Sequence, residues 1–182
     1  MGERLYGLEL LRDFIRLMLW TGSLTDERPT SAIIVSEPGG GKTSLLESCA
    51  CDTAAFVGDL TARSLSMITK QENIKHILLG DMLSLFGHKG HTVQLTLRLI
   101  SQMTGESLQH DSWTGAPSRP RKIGLITAIP PADLAKQGKH IKPGGFADRF
   151  LIARYRYKPS TISRIHRFIS ENKYAEPFTE KP

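Results

Sequence analysis

An α/β fold built on a five-stranded, mainly parallel sheet is predicted by three features of the sequence. Five short apolar runs are spaced along the chain, helical patterns lie between them, and a glycine cluster separates the first run from the helix after it. The runs are Ala32-Ile33-Ile34-Val35, Ala54 to Val57, Ile77 to Leu79, Ile123 to Thr127 and Phe150 to Tyr157. Strands that alternate with helices imply crossover connections, and hence parallel pairing.

Taken in order, residues 5–20 form an amphipathic helix with Leu8, Leu11, Ile15 and Met18 on one face. Glu9, Arg12, Asp13 and Arg16 interrupt its apolar character, which excludes a signal-peptide core. A polar link over 22–30 leads to the first strand, which runs into Pro38-Gly39-Gly40-Gly41. A helix is expected from Lys42 through Cys49, and another over 61–71. The third strand ends at Asp81, and 91–104 carries Val93, Leu97, Ile100 and Met103 on one side of a helix. Gly115, Pro117 and Pro120 mark 108–121 as a loop. A short helix is expected over 131–137, and a last one from Ser160 to Asn172, capped by Ser160 or Thr161. There is no internal repeat. The organisation read from this is an N-terminal helix and linker (1–30), a core (31–158), and a C-terminal helix and tail (159–182).

The chain has 182 residues, 40% of them hydrophobic, enough for the core of one domain. No apolar run approaches the roughly 20 residues of a bilayer span, so no membrane association is expected. Cys49 and Cys51 are separated by one residue. They are too close for an ordinary disulfide and too few for a zinc site, so a reduced, cytoplasmic setting is expected. The net charge is +6 and unevenly spread. Residues 1–118 hold 10 Lys/Arg against 13 Asp/Glu, whereas 119–173 hold 13 against 3. A basic C-terminal third suits contact with nucleic acid or nucleotide phosphates, or else makes a solvated basic face.

Ser36-Glu37-Pro38-Gly39-Gly40-Gly41-Lys42-Thr43 lies between an apolar strand and a helix. Glycines let the backbone wrap so that successive N–H groups point at phosphate oxygens, and the helix start adds partial positive charge. Gly-Lys-Ser/Thr alone would arise by chance in roughly one chain in ten of this length, and two further glycines multiply that by about 0.005. ATP is therefore the expected ligand, held by Pro38, Gly39, Gly40, Gly41, Lys42, Thr43 and Ser44. Lys42 is expected at the β- and γ-phosphates and Thr43 at Mg²⁺. The common pattern has glycine six residues before the lysine, where this chain has Ser36.

Such a loop needs a carboxylate at the end of a neighbouring strand to hold the metal through water. Asp81 is the expected residue, because its strand is continuously apolar. Asp59 is the rival, although it also suits the cap of the helix near Thr61. Many ATPases of this kind place a glutamate directly after the metal aspartate, and here that residue is Met82. Asp59 or Glu106 would have to orient water instead, and slow turnover is expected.

Together these blocks resemble the AAA+ branch of P-loop ATPases, especially small ATPases of phages and mobile elements. The resemblance covers about 30–157. It implies the three-layer α/β/α fold of a P-loop NTPase, with a minimal C-terminal helix in place of a full lid. It also implies a ring or helical homo-oligomer acting in DNA processing, with ATP sites between subunits and a possible protein partner. On the resemblance, Ile123 to Thr127 is a sensor strand whose terminal Thr127 would contact the γ-phosphate or its water. Arg149, in Gly145-Phe146-Ala147-Asp148-Arg149-Phe150, would then be an arginine finger directed at a neighbour's ATP. Its plain alternative is a surface ion pair with Asp148 or Asp133. Arg164 and Arg167 are the candidates for a second sensing arginine.

Two loops could meet a substrate. Gly87-His88-Lys89-Gly90-His91 combines flexibility with positive charge, without enough ligands for zinc. Trp113 between cations such as Arg119 and Arg121 suits base stacking, or packing on its own domain. The alternatives to an ATPase are a nucleotide-dependent binding switch with little hydrolysis and a small-molecule kinase.

Overall fold

A computed structural model of the chain describes residues 7–24, 27–88, 90–105, 122–141 and 146–171. Five strands form the sheet: β1 (Ser31–Val35), β2 (Ala54–Val57), β3 (His76–Leu79), β4 (Gly124–Ile129) and β5 (Phe150–Arg154). All pairings are parallel, in the order β2-β3-β4-β1-β5. Ile33 of β1 lies between Thr127 of β4 and Ile152 of β5, and Leu79 at the end of β3 also faces Thr127.

Alternation along the strands divides the core in two. Ala32, Ile34, Leu78, Ile126 and Ala128 face one side, where α1 (Glu9–Trp20) and α2 (Lys42–Ser48) cover them with Leu11, Ile15, Met18, Leu45 and Leu46. Ile33, Val35, Ile77, Leu79, Leu125 and Ile129 face the other side. There they meet Leu65 of α3 (Ala62–Thr69), Val93, Leu97, Ile100 and Met103 of α4 (Gly90–Gly105), and Ile141 of α5 (Pro131–Ile141). The result is three layers, with both faces of the central strands β3, β4 and β1 buried, as parallel crossovers demand, while edge strand β5 is largely exposed. No helix among the described residues is long and apolar enough to cross a membrane. Cys49 is buried and Cys51 exposed, and both are free thiols.

Several boundaries differ from the sequence expectation, each for a local reason. β4 runs to Ile129 rather than Thr127, because Ala128 and Ile129 are still paired with β1 and buried. Pro130, lacking an N–H, then ends the ladder. β5 stops at Arg154, since its partner β1 ends at Val35, whose carbonyl accepts the next N–H, from Tyr155, at 2.9 Å. α5 continues a turn past 137 and buries Ile141. The last helix, α6 (Pro159–Ser170), starts before the expected caps, with proline in the first position, where no N–H is required. Thr61 caps α3, its hydroxyl accepting from Ser64 N while Ser64 Oγ accepts from Thr61 N. A 3-10 stretch, Met82–Gly87, follows β3, where no element was expected. The loop 108–121 lies outside the described residues.

His76, at the start of β3, is almost fully buried and its Nε2 lies 3.2 Å from the Thr30 carbonyl. Burial lowers its pKa to about 4, and the Thr30 contact only partly opposes this. The folded chain therefore resists a proton that the unfolded chain accepts near 6.5, so stability falls as pH drops through that window. We expect the unfolding free energy to fall by about 2 kcal/mol between pH 7 and pH 5 from this residue. His76→Leu should remove that part of the slope in urea melts, and an unchanged slope would assign it elsewhere.

Candidate functional site

β1 ends between β4 and β5, and the chain leaves it through Ser36, whose N–H lies 3.4 Å from the Ile129 carbonyl. Gly39 and Gly41 take φ of 73° and 71°, left-handed conformations that turn the loop back toward α2. At Gly41 a Cβ would also lie 3.0 Å from Leu8 Cδ1 of the N-terminal segment, so the loop packs without side chains. Lys42 opens α2 and reaches back across the loop. Its Nζ donates to the carbonyls of Ser36 at 2.7 Å and Glu37 at 2.6 Å. Burial lowers the Lys42 pKa, while the charges of Asp81 and Glu37 oppose that shift.

Thr43 Oγ1 donates to the Gly80 carbonyl at 3.3 Å, which docks the first turn of α2 on the end of β3. The next residue is Asp81, exposed, with Oδ1 accepting from Leu83 N at 2.9 Å. The fold thus brings Lys42, Thr43 and Asp81 to one corner, although they come from two separate segments. Pro38 and Ser44 are exposed at either end of the turn. The rival, Asp59, is otherwise engaged. It does not cap α3; Oδ1 accepts from Leu60 N at 2.8 Å, and both carboxylate oxygens lie 3.3 Å from His88 Nε2.

Thr127 lies elsewhere than expected. It sits inside β4 opposite Ile33 and Leu79, is fully buried, and its hydroxyl has no partner among the described residues. The β4 residue that meets the start of the loop is Ile129, through the Ser36 N–H. Arg149 closes a 3-10 turn immediately before β5, whose first residue pairs with Ser31, the first residue of β1. It therefore stands at the sheet edge opposite the loop. Its guanidinium packs on the end of α4, where a Cβ on Gly105 would lie 2.5 Å from Nε. Asp133 pairs with Lys136 at 3.4 Å, not with Arg149. Glu106, Trp113, Arg119 and Arg121 lie outside the described residues, as does Lys89.

A cleft of about 350 Å³ opens between loop residues 36–40 and the segment after β5. Arg156, Tyr157, Ile162, Ile165 and His166 form its far wall. None was singled out from the sequence, which pointed to Arg164 and Arg167 on the same helix. The available signal was the spacing of Ile162, Ile165 and His166, three and four apart and so on one helical face. Two tyrosines tie this wall to the rest. Tyr155 donates to the Gly7 carbonyl at 2.6 Å and Tyr157 to the Gly40 carbonyl at 3.5 Å, with the two rings in edge contact.

The corner brings together an ammonium, a glycine turn whose Gly40 N–H donates to the Glu37 carbonyl at 3.3 Å, a hydroxyl and a carboxylate. That chemistry suits an anion accompanied by a cation. Among the described residues there is no group of three or more His, Cys, Asp or Glu able to hold a metal alone. No protein-family model matches the sequence, and no curated protein matches it.

Gly41→Val should force a β-branched residue into a left-handed φ against Leu8 and destabilise the fold by about 1–3 kcal/mol. Gly58→Ala, in open space and without a left-handed φ, should change stability by less than about 1 kcal/mol. Equal effects in thermal melts would show that the loop conformation is not required for folding.

Proposed function

We propose that this chain is an ATP-binding, slowly hydrolysing ATPase of the AAA+ type. In this reading it works as a ring or helical homo-oligomer in DNA processing for a phage or mobile element. The observation that carries the reading is Lys42 held across a left-handed glycine turn, with Thr43 docked against Gly80-Asp81. An ammonium already resting on two loop carbonyls is placed to exchange them for phosphate oxygens. The residues fit ATP with Mg²⁺. One hydroxyl and one carboxylate suffice beside the phosphates, because Mg²⁺ completes its shell with those phosphates and water. When bound, Mg²⁺ would supply charge neutralisation to the phosphates.

Lys42 and the loop amides bind and orient the phosphates, while Thr43 and Asp81 hold the metal side of the corner. The wall formed by Tyr157, Ile162 and Ile165 offers apolar cover to the rest of the nucleotide. Arg149 stands at the sheet edge opposite its own loop, which is compatible with the proposed role as a finger in the site of an adjacent subunit.

Slow turnover is supported by Met82, buried where a water-orienting glutamate would be useful. The same observation favours the second reading, a nucleotide-dependent binding switch with little hydrolysis. The kinase reading has no comparable support.

Calorimetry with ATP and ADP in magnesium buffer tests the binding step. Lys42→Ala should weaken binding by roughly 2–3 kcal/mol, the scale of a lost charged hydrogen bond. An unaffected heat would remove the loop from the site. Arg149→Ala should bind ATP normally yet lose turnover by on the order of 10³-fold. Mixing it with Lys42→Ala subunits should restore part of the rate, and a mixture as inactive as its components would rule out a shared site.

A further inference from the structure

We propose that the outer edge of β5 and the segment that continues it form a binding track for single-stranded nucleic acid. The track follows Arg154, Arg156 and Lys158. Among the described residues β5 ends the sheet and pairs only with β1. From residue 154 to 158 exposure alternates: Arg154, Arg156 and Lys158 are exposed, while Tyr155 and Tyr157 are half-buried. The tyrosines turn toward Gly7 and Gly40, which leaves the cations outward. Among the described residues none of the three cations makes an ion pair, and no Asp or Glu occurs between 149 and 170. The stretch from Arg154 to Lys158 spans at most roughly 13 Å of extended chain.

Charges on an edge strand also prevent unwanted strand pairing, but that role ends where the ladder ends. Arg156 and Lys158 lie beyond it, where no ladder needs protecting. A surface built for solubility mixes both signs, and this one does not. A line of unpaired cations of one sign matches a polyanion. Ile152, 53% exposed and on the same sheet face as Arg154, favours an unpaired strand. Bases of a single strand can lie against apolar side chains, whereas those of a duplex are already stacked. Arg156 also lines the cleft beside the phosphate loop, so the track adjoins the nucleotide site. The track rests on the nucleic-acid partner of the proposed function and not on ATP hydrolysis.

The test is fluorescence anisotropy of a labelled oligothymidine strand and of a hairpin duplex, over a range of salt, with the full chain. Three phosphate contacts predict a slope of log affinity against log salt of about −2 for the single strand. The R154A/K158A double variant should bind the oligonucleotide at least about 10-fold more weakly and bring the slope to about −0.7. The charge-conserving R154K/K158R variant should retain binding. Lys42→Ala should bind the oligonucleotide as the wild type does, so a failure of the ATP reading leaves this result standing. R154A/K158A should keep its heat with ATP and its circular dichroism spectrum, which establishes that it is folded. The track is overturned by wild-type affinity and slope in R154A/K158A, by tighter binding of the hairpin than of the single strand, or by no binding of either.

Discussion

Parallel pairing of β1 between β4 and β5 is the constraint on which the rest depends. Every residue of β1 is buried, with both faces covered by helices and both edges hydrogen-bonded. A strand so enclosed can continue only past its carboxyl end, and the chain must then reverse direction to lay α2 over the sheet. Left-handed backbone at Gly39 and Gly41 accomplishes the reversal in a few residues. The loop's position is therefore set by the sheet, and its conformation by the glycines. Because β3 lies one strand beyond β4, the end of β3 reaches the first turn of α2. Thr43 and Gly80 are the point of contact.

The same parallelism separates functions along the strand axis. Residues that follow strands gather at the loop edge, as Ser36, Asp59 and Asp81 do. Residues that begin or precede strands gather at the opposite edge, as His76 and Arg149 do. A strand of five residues is about 17 Å long, so groups at opposite edges of one chain cannot act on one small ligand. Arg149 and Lys42 are thus kept apart by geometry, whatever each contacts. Packing of Arg149 on the end of α4 is also favourable in itself, since a cation there offsets the helix's partial negative charge.

Chain segments distant in sequence close the other side of the corner. The start of α1 and the stretch after β5 meet at Gly7 through Tyr155, and the loop meets both through Leu8 and Tyr157. This places an irregular stretch, residues 155–158, against the glycine turn. Burial raises the pKa of Tyr155 well above the usual tyrosine range, which keeps its hydroxyl a donor to Gly7 at all ordinary pH.

Local patterns were enough to determine the element types, the five strands, the buried face of α1 and the glycine turn with Lys42. Each depends on spacing within a few residues, where apolar periodicity or a left-handed φ leaves a direct mark on residue choice. Strand order was not legible, because it arises from which buried faces fit together. With it went the placement of Thr127, which pairing carries into the interior of β4, and the engagement of Asp59 by His88. The wall of the cleft was also hidden. Arg156, Tyr157, Ile162 and His166 acquire meaning only when α6 is set beside the loop, and no local pattern encodes that contact. What tertiary structure alone decided is which distant residues share a corner, because side-chain chemistry is written in the chain but proximity is a property of packing.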